Sequence, residues 1–132
     1  MARWKRPPYQ KITEHFHWAT EAACKHCGRV PDLEVVRETA EWLETVREAL
    51  GGLPVHVNSW CRCEEHNAAV GGAPNSYHVK GMAVDITVRG YSPRETWRLC
   101  RELQKKGLIG GLGKYASFTH IDRGPKRSWD GP

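Results

Sequence analysis

Ser76-Tyr-His-Val-Lys-Gly-Met-Ala-Val-Asp-Ile-Thr-Val88 is the stretch on which the fold turns. Its second half alternates as a strand does. Val84, Ile86 and Val88 fall on one face, and Ala83, Asp85 and Thr87 on the other. Asn75 and Ser76 favour a turn ahead of His78, and Gly81 lets the chain bend tightly before the strand begins. A carboxylate in mid-strand is costly to bury unless something pairs with it. His78 precedes Asp85 in the same stretch, and a second imidazole follows in Thr119-His-Ile-Asp122. His78, Asp85 and His120 together form a three-donor set for Zn²⁺. The fourth tetrahedral position is left to water, which separates a catalytic zinc from a structural one. A plainer reading has Asp85 capping a turn or pairing with an arginine, and each histidine as an ordinary polar residue. It accounts for single residues but not for the ordered set.

Outward from this stretch, Pro54 to Asn58 reads as a strand leading into Arg62, Glu64 to Val70 as one or two helical turns, and Gly71 to Tyr77 as a loop. Asp32 caps a helix from about Leu33 to Leu50. Its Val36, Ala40, Leu43, Val46 and Leu50 recur every three or four residues, and Gly51-Gly52 ends it. Ser92-Pro-Arg-Glu95 is a capping box with proline at the first helical position. It opens a helix through Trp97, Leu99 and Leu103 that stops near Gly107. Leu112 to Tyr115 and Phe118 to Ile121 suit a closing pair of strands. Ile12, Phe16, Ala19 and Ala23 have near-helical spacing. Residues 1–11 read as an N-terminal arm and 124–132 as a flexible polar tail. The expectation is a small single α+β domain over 1–132. Helices pack on one side of a mainly antiparallel sheet that carries the zinc site on its other face.

Ser76-x-His78-x-x-Gly81-x-Ala83-x-Asp85 followed by His120 resembles the zinc D-Ala-D-Ala carboxypeptidase family of bacterial cell-wall peptidases, some of them phage endolysins. Those enzymes cut peptide bonds in peptidoglycan stems or cross-links. The likeness continues upstream, where Val57-Asn-Ser-Trp-Cys-Arg62, Glu65-His-Asn67 and Gly71-Gly-Ala73 are similar to the family's Ser-Gly-Tyr-Arg segment and its His-Asn continuation. It covers roughly Ile12 to Gly124. The resemblance implies that His78, Asp85 and His120 hold one catalytic Zn²⁺. It implies that Arg62 grips a substrate carboxylate or polarises the scissile carbonyl, and that Ser76 supports the substrate or the metal ligands. The implied partner is a peptidoglycan peptide, hydrolysed by a carboxypeptidase or by an endopeptidase of endolysin type.

Two departures stand out. Trp60-Cys61 replaces the family's Gly-Tyr, which reshapes the pocket wall beside Arg62. The acidic residue that many members carry three positions before the last histidine is Ser117 here, and Phe118 takes the place of a histidine found in others. Asp122, on the same strand face as His120, can replace that base or orient an imidazole, the commoner use of such a carboxylate. Glu64 and Glu65 are further candidates. Zinc alone lowers the pKa of a bound water to about 7, and a general base adds about 10²–10⁴-fold in rate. The competing reading is therefore a non-catalytic, zinc-containing peptidoglycan-binding module of phage origin.

The 132 residues suit one core. No apolar run reaches the roughly 18 residues needed to span a bilayer, so no membrane partner is expected. The formal net charge of +5 is scattered along the chain. Such a charge would attract nucleic acid as well as anionic wall polymers, but the lysines and arginines form no stripe, so it reads as a solvated surface with weak steering, and no nucleic-acid partner is expected. Met-Ala-Arg-Trp-Lys-Arg-Pro-Pro lacks the apolar segment of a secretory signal. The expectation is a monomer made in the cytoplasm and, if of phage type, released to the wall by a holin. Among the five cysteines, Cys24-Lys-His-Cys27 is a C-x-x-C and Cys61-Arg-Cys63 a C-x-C. These four can hold a second, structural Zn²⁺, form disulfides in an oxidising space, or remain free thiols. Cys100, at apolar helical spacing, reads as buried.

Overall fold

The computed structural model describes residues 4–132. Among the described residues, three α-helices and five strands make up a small α+β domain: α1 (Leu33–Ala49), β1 (Val55–Ser59), α2 (Glu64–Ala69), β2 (Ala83–Val88), α3 (Pro93–Lys105), β3 (Gly111–Lys114), β4 (Thr119–Asp122) and β5 (Arg127–Asp130). The two long helices begin where local chemistry starts them. Asp32 accepts a hydrogen bond from Val35 N at 3.0 Å at the head of α1. Ser92 and Glu95 close the reciprocal capping box of α3, with Pro93 in its first turn. The buried stripe of α1 is Val36, Thr39, Ala40, Leu43 and Val46. It joins Val84, Ile86, Val88, Leu112 and Ile121 of the sheet in one core. No helix among the described residues is long and apolar enough to cross a membrane.

The strand order is β1-β2-β4-β3-β5. All neighbours are antiparallel except β3 and β5, which run parallel. The sheet is thus mixed, and mostly antiparallel as expected. Register fixes the site. Asp85 on β2 sits opposite His120 on β4, and His120 sits opposite Gly113 on β3. With Val84, Ile86 and Ile121 turned to the helices, Asp85, His120 and Asp122 share the other face.

Two expectations are corrected. Residues 124–132 are not a loose tail, since they supply β5. Arg127 pairs with buried Asp122, while Gln104 Nε2 donates to the backbone oxygen of Arg127 and to Ser128 Oγ, each at 3.1 Å. Trp129 lies on Gly113, where a Cβ would come within 2.7 Å of the indole. Gly113→Ala is therefore expected to push Trp129 off the sheet and cost about 1–3 kcal/mol, read by urea denaturation; an unchanged midpoint would contradict this packing. The second correction concerns the helical spacing from Ile12 to Ala23, which yields only a π-helical turn, Trp18–Ala22, capped by His17. Ile12 N and Thr13 N both donate to Phe16 O, so the chain there folds back on itself instead of continuing a helix.

Candidate metal centre

The loop between α2 and β2 aims His78. Asn67 Nδ2 donates to Ala73 O at 3.0 Å. At Gly72 a side chain would meet Asn67 Oδ1 at 2.1 Å, so the Asn and the Gly-Gly-Ala run work as one anchor. Ser76 Oγ accepts from His78 N at 3.2 Å. Gly81, at φ 76°, makes the bend before β2 against Val36 and Pro31 of the α1 region. Its carbonyl accepts from Thr39 Oγ1 at 2.8 Å and from Trp60 Nε1 at 3.1 Å. Trp60 is therefore not a wall of the pocket. It is buried, edge-on to Phe16, and serves the site through its backbone.

His78, Asp85 and His120 converge, with their donor atoms within 4.8 Å of one another. Asp85 Oδ1 lies 3.1 Å from His78 Nε2 and 3.0 Å from His120 Nδ1. The far side of each ring sets its tautomer. His78 Nδ1 faces Trp60 O at 2.7 Å, and His120 Nε2 faces Asp122 Oδ2 at 2.8 Å. Both of those oxygens only accept, so both of those nitrogens carry the proton. The neutral rings then turn two lone pairs on a carboxylate oxygen that also offers only lone pairs. Such a triad needs a cation between its members. Zinc–nitrogen and zinc–oxygen bonds of about 2.0–2.2 Å put neighbouring tetrahedral donors about 3.3–3.6 Å apart, a few tenths of an ångström wider than the 3.1 and 3.0 Å from Asp85 to the two rings. The residues present fit a zinc ion.

Protonated rings, the metal-free alternative, show the same demand for positive charge: burial pushes the Asp85 carboxyl up, but hydrogen bonds donated by protonated His120 and His78 imidazoles more than reverse this and hold it well below the usual carboxylate range. Asp122 is fully buried. Burial acts on it likewise, and is outweighed by donors from His120, Arg127 and Gly124. Its Oδ1 accepts from Gly111 N (3.0 Å), Gly124 N (2.9 Å) and Arg127 Nη1 (3.0 Å). Its Oδ2 accepts from Arg127 Nη2 (2.8 Å) as well as from His120. With neutral imidazoles, two buried carboxylates face one guanidinium, which leaves one negative charge for a cation to balance.

Asp122 thus stands behind the His120 ring, with both oxygens occupied, and not on the side of the converging donors. Arg127 and Trp129 were missed by sequence reasoning. Arg127 clamps Asp122 and lies over the rings of Tyr77 (4.7 Å) and Trp129 (5.2 Å), and Trp129 packs 4.9 Å from His120. The signal for them in the sequence is the strand-like alternation Arg127-x-Trp129 within an otherwise polar stretch.

The triad opens on a cleft of about 760 Å³ lined by Arg62, Ser76, Tyr77, Tyr115, Phe118, Arg127 and Trp129, among others. Arg62 Nε is buried there with no hydrogen-bond partner. Asp85 is the one carboxylate side chain among the described lining residues. Glu64, Glu65 and Ser117 are exposed and lie outside the lining. Phe118 stacks on Tyr115 at 4.5 Å.

The cysteines divide. Cys24, Cys27 and Cys63 cluster, whereas Cys61 turns into the core toward Gly81, and burial pushes its thiol well above the usual range. The four-cysteine set is therefore not assembled. The chain turns between Cys61 and Cys63 into α2, whose N-cap is Cys63, so the two sulfurs diverge. Cys100 is buried on α3.

The family model for peptidase M15 matches residues 11–122. A zinc D-Ala-D-Ala carboxypeptidase of Streptomyces albus G is 32% identical over 94 residues, 68% of this chain and 36% of the relative. A probable peptidoglycan L,D-endopeptidase MepK of Haemophilus influenzae is 38% identical over 63 residues, 46% of this chain and 32% of the relative. The peptidoglycan L,D-endopeptidase MepK of Escherichia coli is 36% identical over 61 residues, 45% and 31% of the two chains. In these alignments the chain spans about a third of the length of the curated relatives it matches.

Proposed function

This chain belongs to the peptidase M15 family, and on that premise we propose that it is a zinc metallopeptidase acting on peptidoglycan stem peptides or cross-links. The relatives' names include both a carboxypeptidase and an endopeptidase that act on such material. The observation that carries the reading is the set of three lone pairs at His78, Asp85 and His120, whose tautomers are fixed from behind by Trp60 O and Asp122. Zinc held by these three would supply Lewis acidity toward a carbonyl and an acidified water.

The chain's own residues do the rest. Asp122, held by Arg127, keeps the His120 proton on Nε2 and its Nδ1 free. Ser76 holds the backbone of His78. Arg62 has a buried Nε with no partner and faces the cleft, so it receives a substrate carboxylate or the developing oxyanion. Arg62→Ala is expected to lower kcat/KM by about 10–100-fold, the equivalent of a charge-assisted hydrogen bond of about 1.5–3 kcal/mol. Unchanged kinetics on a stem peptide with a free carboxylate would remove Arg62 from substrate binding.

The deciding experiment incubates the chain with purified peptidoglycan, with and without chelator and added zinc. It follows new amino termini and identifies the products by mass. Zinc-dependent release names the bond. Binding to sacculi without cleavage at full zinc occupancy supports the second reading, a non-catalytic peptidoglycan-binding module of phage origin. One observation favours that second reading: no carboxylate side chain except Asp85 lines the cleft among the described residues.

A further inference from the structure

The sulfurs of Cys24, Cys27 and Cys63 lie within 4.8 Å of one another, and none of these residues lines the cleft. The C-x-x-C segment is tightly wound. Cys24 N donates to Arg29 O at 2.9 Å, and Gly28 N donates to Cys24 O at 2.7 Å, with Gly28 at φ 71° reversing the chain. Backbone N–H groups point at sulfur: Cys63 N to Cys24 Sγ at 3.4 Å, and His66 N to Cys63 Sγ at 3.4 Å. Donors so placed stabilise a thiolate, the form that binds metal.

A nitrogen donor stands beside the Cys63 sulfur, just outside the converging three. His26 Nδ1 is 3.5 Å from Cys63 Sγ, and its ring stacks on that of His66 at 5.8 Å and 4°. The cluster holds an odd number of thiols, so disulfides within it always leave one over. Zinc–sulfur bonds of about 2.3 Å place tetrahedral sulfurs about 3.8 Å apart, within the observed spread. Thiolates with one imidazole are a soft set that suits Zn²⁺ better than a hard cation.

We propose that Cys24, Cys27 and Cys63, with His26 as the fourth donor, bind a structural Zn²⁺. Binding exchanges the thiol protons for the ion. All four tetrahedral positions are then filled by protein, which leaves no open position for chemistry. The ion ties the segment before α1 to the head of α2, directly beside Arg62. The inference stands apart from the reading of the cleft, since it uses none of the cleft's residues.

The test uses the full chain purified under reducing conditions. Metal is counted on the zinc-loaded protein, and Co²⁺ is substituted for zinc. Two zinc equivalents per chain are expected. Cys27 is exposed, so Cys27→Ser should fold and lose one equivalent. The near-ultraviolet sulfur-to-cobalt charge-transfer band should appear in the wild-type chain and in His120→Ala, and vanish in Cys27→Ser. His26→Ala should weaken the band or shift it. Absence of the band in the wild-type chain, or its persistence in Cys27→Ser, would overturn the site. So would a disulfide joining these cysteines in protein that binds no second ion. A band untouched by His26→Ala would overturn the fourth donor. Loss of metal from the cleft alone leaves the band in place, so failure of either centre is seen separately.

Discussion

Asp85→Ala is expected to leave a folded chain that no longer holds zinc in the cleft and no longer cleaves peptidoglycan above background. Asp85 Oδ1 is the one atom that both His78 Nε2 and His120 Nδ1 face, at 3.1 and 3.0 Å. Removing it deletes a donor and the only negative charge among the three. Two neutral imidazoles then hold the ion without charge neutralisation. The loss should exceed the roughly 10–100-fold that removal of an outer hydrogen-bond partner costs a metal site. Folding should survive, because alanine is tolerated in a strand and the substitution takes away a buried charge. The measurement is metal content in a Cys27→Ser background, so that only the cleft is counted, together with a denaturation curve. One chelator-removable ion per chain in the variant would remove Asp85 from the ligand set.

Asp122→Asn is the second large effect, and it separates orientation from ligation. The amide keeps the shape but turns an acceptor into a donor. If its NH₂ replaces Oδ2, it meets Arg127 Nη2 and the His120 Nε2 proton. His120 then moves its proton to Nδ1, the atom that faces Asp85. If the NH₂ replaces Oδ1, it meets the N–H groups of Gly111 and Gly124 instead. Zinc affinity should fall by about 10–100-fold, as read by competition with a chromophoric chelator. Breaking a buried ion pair on one side costs about 3–5 kcal/mol. The Arg127 side chain is 38% exposed and can rehydrate, so the lower end, about 3 kcal/mol, is expected. Acid should narrow the gap between variant and parent. The Asp122 carboxyl is held below its unfolded value. Its stabilisation is therefore present above pH about 3.9 and fades as pH falls toward the folded value. Unchanged zinc affinity in Asp122→Asn would show that His120 needs no partner behind it.

What could be read from sequence was what short-range chemistry determines. Asp32 and the Ser92–Glu95 box start their helices using atoms within one turn, so α1 and α3 were legible. The His78–Asp85 spacing was legible because one bend at Gly81 sets it. Illegible parts depended on partners far along the chain. β5 is polar, and its place comes from Asp122, Gln104 and the bare surface of Gly113. Trp60 stood beside Arg62 and looked like a pocket residue, but the Gly81 carbonyl and Phe16 draw its ring inward. Cys61 and Cys63 looked equivalent until the start of α2 parted them.

The pairing of Asp85 with His120 across β2 and β4 also bears on the order of assembly. His78 and Asp85 arrive in one short segment, whereas His120 arrives only after α3 and β3 have been made and β4 has zipped against β2. A nascent chain that has not reached β4 presents two donors of the three, and a weak hold on any ion. Tight uptake therefore reports a completed sheet. Its free energy falls on the native state alone and rewards a long-range closure, a kind of contact that forms slowly.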